Sequence, residues 1–143
     1  GHNNRIASFY SLEKIISNLS LLSVLQNIRT ITIFLDIRYM NPDKAGQEWI
    51  SPDLSNKICI LTASTGRETS NIYEEKKHSI FTYHLLKGLG GESRGDDNKI
   101  ELGELAEYIY RKVPETSKNL SGKVRQSPSF YGSDLKRLLL DLQ

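Results

Sequence analysis

The chain has 143 residues and a mass of 16.3 kDa, which is the size of one ordinary domain. Hydrophobic residues make up 38% of it, enough for a core. The 19 basic and 17 acidic side chains leave a formal net charge of +2, too weak a field to indicate a nucleic acid or a membrane surface as partner. No apolar run approaches the roughly 18 residues that a membrane span requires.

The start of the chain and its cysteine content bear on its cellular setting. Gly1-His2 is typical of the remnant of a cleaved expression tag, so we take residues 3–143 as the domain. No basic and then apolar secretory leader opens the sequence. The single cysteine, Cys59, excludes an internal disulfide framework and a cysteine-based zinc site. We therefore expect a reducing compartment, the cytoplasm.

The first half of the chain predicts one helix and two strands. Leucines and isoleucines recur at helical spacing after a possible N-cap at Ser11, which predicts an amphipathic helix over about residues 11–27. A nearly continuous apolar run at 30–35 ends at Asp36, and a second apolar run covers 57–63. Runs that are apolar on both faces are typical of central parallel strands. This order of elements predicts a layered α/β sheet.

Both predicted strands lead into polar loops. Residues 37–56 contain proline and glycine turn signals without periodicity, and a connection of this length is more often functional than idle. The second strand leads into the loop Ser64–Ser70. Ligands of open α/β sheets bind at the carboxyl ends of the strands, which are here Asp36 and Ala63. Asp36 is therefore either a structural cap of its loop or a binding group, and the pattern alone favours neither.

The second half predicts two helices and a closing strand. A helix over about 78–89 has apolar residues on one face and stops at Gly90-Gly91. Another helix over about 101–113 is expected to end at Pro114, because proline lacks the backbone N–H that a helix interior needs. The apolar run at 138–140 predicts a short strand.

We expect no cofactor and no metal. The acidic stretch 96–104 lacks the oxygen ligands of an EF-hand when Glu104 is placed at the twelfth position of the loop. A solvated turn followed by an acid-rich helix N-terminus explains it better. His78 and His84 have no carboxylate or cysteine at ligand spacing, so we expect them at the surface or in a hydrogen bond between helices.

Three segments carry a family resemblance. The first covers 33–42 (IFLDIRYMNP), and the second covers 61–89, with LTAS at its start and HSIFTYHLLKGL at its end. The third is DDNKIELGEL at 96–105, followed by QSP at 126–128 and YG at 131–132. In this order they resemble the caspase-like cysteine peptidases, the group that includes caspases, metacaspases, paracaspases and many bacterial relatives.

The resemblance implies a fold and a site. The fold would be a caspase-like layered α/β fold, with a mostly parallel central sheet flanked by helices. The chain would hold the C-terminal two-thirds or more of it and lack N-terminal strands. In metacaspase-like and paracaspase-like relatives the residue that matches Asp36 helps line the pocket for a basic substrate side chain. Ser64, Thr65 and Ser70 lie on the segment that resembles the family's substrate-side loop.

The chain departs from the family at the catalytic residues. Arg38 stands where the family has its cysteine, and a guanidinium serves neither as nucleophile nor as base. Arg38 is instead expected to fill the pocket or to pair with Asp36. Cys59 lies within an apolar run, where cysteines are usually inert packing residues. The family's catalytic histidine precedes the first predicted helix, and His2 lies too close to that helix to match it.

These departures lead us to expect a caspase-like domain that lacks peptidase activity in this chain and acts by binding. It would be a scaffold or regulator for a peptide or protein, or would dock a second chain or a second copy through a sheet edge. The alternative is a fragment of an active cysteine endopeptidase that cleaves after basic residues. A third hypothesis, an unrelated flavodoxin-like domain, is weakened because no glycine-rich phosphate loop follows a strand.

Overall fold

The computed structural model describes residues 12–24, 28–37, 56–65, 68–120, 122 and 124–142. Within these ranges the chain is a mixed α/β protein, as predicted. Its helices are α1 (Leu12–Val24), α2 (Ile80–Lys87) and α3 (Leu102–Asn119), and its strands are β1 (Ile31–Leu35), β2 (Ile58–Thr62), β3 (Ile72–Tyr73), β4 (His78–Ser79), β5 (Lys99–Glu101), β6 (Ser129–Tyr131) and β7 (Leu138–Asp141). None of the described helices combines the length and the hydrophobicity needed to cross a bilayer.

The largest sheet in the described ranges has the strand order β1-β2-β6. The two apolar runs form the parallel pair β1 and β2, with Thr32 opposite Cys59. The parallel arrangement expected of the central sheet is thus found for this pair. β6 is antiparallel to β2. Its first residue, Ser129, lies opposite Thr62, the last residue of β2. Every residue of β2 is buried, as its continuous apolar run predicted.

Helices cover both faces of β2. Successive side chains of a strand point to opposite faces of its sheet. Ile58 and Ile60 pack with Ile16 of α1 on one face. Leu61 belongs to the larger core cluster on the other face, where it is joined by residues of α2 and α3 that include Phe81. This packing places α1 on one side of the sheet and α2 with α3 on the other.

The predicted ends of the first helix lie outside the described residues, whereas both predicted ends of the second helix differ from the structure. The described part of the first helix is Leu12–Val24, and residues 11 and 25–27 of the predicted span lie outside the described ranges. The helix predicted over 78–89 begins only at Ile80, because the two preceding residues form β4. The regular helix ends at Lys87, before the predicted stop at Gly90-Gly91. A wider helical turn follows over Gly88–Glu92, in which Gly91 has a φ of 111°.

The prediction that Pro114 ends the third helix is wrong, since α3 continues through it to Asn119. A proline within a helix removes one backbone hydrogen bond. Here the residues on both sides of it are fixed by packing: Val113 and Ser117 are fully buried. The Ser117 hydroxyl also donates to the carbonyl of Pro114 at 3.1 Å and accepts from the backbone N–H of Gln126 at 3.2 Å. Tertiary contacts therefore outweigh the local preference.

The C-terminal segment is tied to the start of the parallel strands. The apolar run at 138–140 forms β7, which pairs with β5, as its composition predicted. Just before it, the buried Arg137 donates to the carbonyl of Ile31 at 2.7 Å and to that of Lys57 at 2.9 Å. Its Nε also forms an ion pair with Asp134 at 3.2 Å. One guanidinium thus joins the segments that begin β1 and β2.

Candidate functional site

Asp36 lies at the carboxyl end of β1, where the sheet opens to solvent. The backbone N–H of Ala63 donates to the carbonyl of Leu35 at 2.8 Å, so the ladder between the two parallel strands continues to this point. The end of β1 and the start of the loop after β2 therefore meet at one edge of the sheet. This is the juxtaposition that strand order and Asp36 led us to expect.

Three hydroxyl groups hold the carboxylate of Asp36. The Ser70 hydroxyl donates to Oδ1 at 2.7 Å, and the Thr82 hydroxyl donates to Oδ2 at 2.6 Å. The Ser79 hydroxyl also donates to Oδ2. We call Ser70, Ser79 and Thr82 the hydroxyl cradle. One member comes from the loop after β2 and two come from the start of α2, so two separate segments of the chain position one carboxylate.

The start of α2 is built to face an anion. Ser79 is the N-cap of α2, and its hydroxyl oxygen accepts from the backbone N–H of Thr82 at 2.9 Å while its proton goes to Asp36. The positive end of the helix dipole favours a negative charge at this place. Ser79 and Thr82 belong to the second segment of the family resemblance, which assigned them no role. A cap position followed by a threonine in the first turn was the available signal.

The carboxylate of Asp36 keeps its charge uncompensated by any described cation. Its three partners are neutral hydroxyls, and no lysine, arginine or histidine of the described ranges forms an ion pair with it. Asp36 is exposed to solvent. A fixed and accessible carboxylate is suited to bind a cationic side chain through charge-assisted hydrogen bonds.

The loop residues predicted to bind substrate are placed differently. Ser70 is buried and belongs to the hydroxyl cradle. Ser64 is also buried, and its carbonyl accepts from the hydroxyl of Thr62 at 2.7 Å, which turns the chain at the end of β2. Thr65 is half-buried beside it. Of these three residues, the structure joins Ser70 to Asp36 by a hydrogen bond.

Gln126 fixes both ends of the loop that supplies Ser70. Its side chain is fully buried, and its Nε2 donates to the carbonyl of Ala63 at 2.8 Å. Its Oε1 accepts from the backbone N–H of Asn71 at 2.9 Å. Asn71 in turn donates from Nδ2 to the carbonyl of Val124 at 2.6 Å. In the sequence Gln126 is visible only as part of the QSP motif, because nothing local shows which backbone groups a buried amide will join.

Glu68 adds a second tie between the same loop and the segment before β6. Its carboxylate accepts from the backbone N–H of Ser127 at 2.5 Å and from the Ser127 hydroxyl at 3.1 Å. With Gln126, this bond holds the loop from its middle as well as from its ends. The described residues on both sides of Ser70, Glu68 and Asn71, are therefore tied to the segment before β6.

Cys59 lies away from this edge and is closed to solvent. Its exposed fraction is 0%, and its Sγ is 4.0 Å from the carbonyl of Asp134. It pairs with Thr32, four residues before Asp36, which corresponds to about 13 Å along the strand. The prediction that Cys59 is a buried packing residue is confirmed. Arg38 lies outside the described residues, as does the proposed contact between it and Asp36.

The two histidines of the second half occupy the kinds of position that were predicted. His78 is exposed in β4. His84 is buried between two helices, with its Nε2 at 2.8 Å from the Thr116 hydroxyl of α3. Burial lowers the pKa of His84, and the nearby Lys112 ammonium lowers it further. Within the described part of the chain, no three His, Cys, Asp or Glu side chains come together in a way that could hold a metal ion.

The chain matches no known family, no curated protein and no solved structure. The interpretation of this edge of the sheet therefore rests on its own geometry. That geometry is an exposed carboxylate, held by the hydroxyl cradle at the end of a parallel strand. Such an arrangement can bind a cation, and the single thiol of the sequence, Cys59, lies away from it.

Proposed function

We propose that the chain is a caspase-like α/β domain that lacks cysteine-peptidase activity and binds a basic side chain of a peptide or protein at Asp36. The observation that carries the proposal is the hydroxyl cradle. Three hydroxyls fix the carboxylate of Asp36 at the solvent-exposed end of β1, and no described cation neutralises it. An arginine or lysine side chain of the partner would supply a positive charge that the described residues do not bring to Asp36.

The lack of peptidase activity is supported by the position of the thiol. A cysteine peptidase attacks its substrate with an accessible thiolate that a histidine has activated. Cys59 is fully enclosed in the middle of β2, and a peptide bound near Asp36 would lie about four residues farther along the strand. The residue that resembles the family's nucleophile position is Arg38, which cannot attack a carbonyl.

The mode of binding is supported by the edge of the sheet. β1 is the outer strand in the order β1-β2-β6, so within the described ranges its second edge has no neighbouring strand. An extended segment of a partner protein, a second chain or a second copy could add to such an edge. A basic side chain that follows the added segment would then reach Asp36 at the end of β1.

Binding is tested with short fluorescent peptides that end in arginine, lysine, alanine or glutamate. We expect the arginine and lysine peptides to bind with micromolar to millimolar affinity and the other two to bind at least about tenfold more weakly. Asp36→Asn should weaken the basic peptides by about tenfold to a hundredfold, because it removes the charge. Asp96→Asn makes the same change at an exposed turn and should leave binding unchanged. Equal affinities for all four peptides would contradict the proposal.

Catalysis is tested separately with the same chain. Fluorogenic peptides ending in arginine, lysine or aspartate should show no turnover above buffer, and a cysteine-directed chloromethylketone should leave the folded protein unlabelled. Both results follow from the enclosure of Cys59. Turnover or rapid covalent labelling would favour the alternative of an active endopeptidase fragment.

A further inference from the structure

His84 is a buried titratable group that the proposed function does not use. It belongs to α2 and is 7% exposed. Its Nε2 lies 2.8 Å from the Thr116 hydroxyl, which joins α2 to α3. Its Nδ1 is buried and has no hydrogen-bond partner among the described residues. A neutral ring needs only one N–H partner, whereas a protonated ring has an N–H on both nitrogens. The site therefore accommodates the neutral ring and leaves a second proton unsatisfied.

Charged and titratable groups face the ring from all the elements packed around it. They are Tyr83 and Lys87 of α2, Glu92 of the turn that follows α2, and Tyr108, Lys112 and Glu115 of α3. Lys112 and Lys87 oppose a positive charge on the ring, whereas Glu92 and Glu115 favour it. Glu92 is already occupied by an ion pair with Lys87 and by the Tyr108 hydroxyl at 2.5 Å. Burial and the two lysines prevail, so the pKa of His84 lies below its ordinary value.

The helix that carries His84 also carries two members of the hydroxyl cradle. α2 is only eight residues long, and Thr82 precedes His84 by two positions. Ser79 and Thr82, at the start of α2, donate to Asp36. A proton on Nδ1 would need a partner that the described surroundings of the ring do not offer, and movement of the ring out of the interface between α2 and α3 would bring it to water. Such a displacement would also move the start of α2 relative to Asp36.

We propose that protonation of His84 releases α2 from α3 and thereby loosens the hydroxyl cradle, so that the site at Asp36 is ordered at neutral pH and opened by acid. This device does not depend on which ligand Asp36 binds. It needs only the mechanical connection from the ring of His84 to the start of α2.

Hydrogen–deuterium exchange of residues 78–87 tests the connection in the absence of any ligand. His84→Gln keeps an amide donor that can face Thr116 but does not titrate. We expect this variant and the wild type to exchange alike at pH 7.5. At pH 5.0 we expect the wild type to exchange about threefold faster or more, because only its helix opens. Comparison at the same pH cancels the intrinsic pH dependence of exchange. His78→Gln removes the exposed histidine and should behave as the wild type at both pH values.

The proposal would be overturned if the ratio of the wild-type exchange rate to that of His84→Gln were the same at pH 5.0 and pH 7.5. NMR of the wild type provides a measurement that does not require the variant to fold. The ring of His84 should titrate below pH 6.5, and the amide signals of Ser79 and Thr82 should shift with the same midpoint. A ring that titrates at or above 6.5, or amide signals that do not follow it, would also overturn the proposal. Neither measurement involves peptide binding, so failure here is distinct from failure of the proposed function.

Discussion

Gln126 is a fully buried amide whose two ends bond with Ala63 and Asn71, on either side of the loop that supplies Ser70. Each bond alone contributes modestly, since folding exchanges it for bonds with water. Leaving a buried backbone group without a partner costs more than the bond itself contributes. The shape of the loop beside Asp36 therefore depends strongly on this one side chain.

Replacing Gln126 by leucine tests this dependence. The variant keeps the volume but leaves the Ala63 carbonyl and the Asn71 N–H unpaired, so we expect the free energy of unfolding to fall by about 2–4 kcal/mol. Urea denaturation followed by circular dichroism measures it. Arg125→Ala, at the exposed neighbouring position, should stay within about 0.5 kcal/mol of the wild type. A leucine variant as stable as the wild type would show that the loop finds other partners.

At the scale of single residues, the sequence indicated the position of Asp36 but only part of its surroundings. Asp36 could be singled out because it ends an apolar run that predicted a central buried strand, although β1 is half-buried and is the outer strand of the described sheet. Ser79 and Thr82 could not be singled out as partners of Asp36, because they lie more than forty residues away in the sequence. A hydroxyl at the start of a helix can equally well serve only as a helix cap. Local patterns indicate that a serine will find a partner. Only the packing of α2 on the sheet decides which partner that is.

At the scale of elements, hydrophobic periodicity predicted the type of each long element and erred at its ends. The strands and helices around the core follow from runs and spacings that are visible in the sequence. The exception is α3, which was expected to stop at Pro114 and continues for another turn and more. Periodicity reports which residues can be buried. It does not report that burial of Ser117 and its contact with Gln126 will hold the helix together beyond a proline.

Pro114 therefore offers a test of helix energetics. Pro114→Ala restores a backbone N–H within the interior of α3, and we expect it to raise the free energy of unfolding by about 1–3 kcal/mol. The greater flexibility of the unfolded variant offsets part of the gain. The urea midpoint of the variant should move upward accordingly. Glu115→Ala, at the next and exposed position, should change it by less than about 0.5 kcal/mol. A lower midpoint for the alanine variant would mean that Pro114 contributes packing that outweighs the lost hydrogen bond.

At the scale of the whole molecule, long-range ties join segments that the sequence treats separately. Arg137 bonds with backbone groups that begin the two parallel strands. Gln126 bonds with the Ala63 carbonyl just after β2 and with the backbone N–H of Asn71 just before β3. Neither tie was predictable, because a buried arginine has the same local signature as an exposed one. The layered α/β arrangement was predictable, since it requires only that apolar faces meet.

The stability of the whole molecule should depend on pH through His84. In the unfolded chain its imidazole titrates near 6.5, and in the folded chain burial lowers that pKa. Between the two values the unfolded state holds more protons, so the free energy of unfolding rises with pH across this window. Above about pH 6.5 the titration of His84 takes nothing from the free energy of unfolding. As the pH falls from there toward the folded-state pKa, the free energy of unfolding declines.

The carboxylates of the chain can also make stability depend on pH. Urea unfolding of the wild type and of His84→Gln at several pH values isolates the contribution of His84, because the two proteins share the same carboxylates. The wild type should lose more stability than the variant between pH 7.5 and pH 5.0, and the two should run parallel above pH 7. Curves that remain parallel throughout would show that His84 takes up its proton equally well in the folded and unfolded states.

The position of Cys59 turns the chain into its own reporter of rare fluctuations. The thiol is the single one in the sequence and has no accessible surface, because it lies in the central strand between two layers of helices. A disulfide reagent in excess can react with it only during moments when β2 parts from its neighbours. The rate of colour release would then count those moments under native conditions. Cys59 thus reports how often the sheet opens, without any added label.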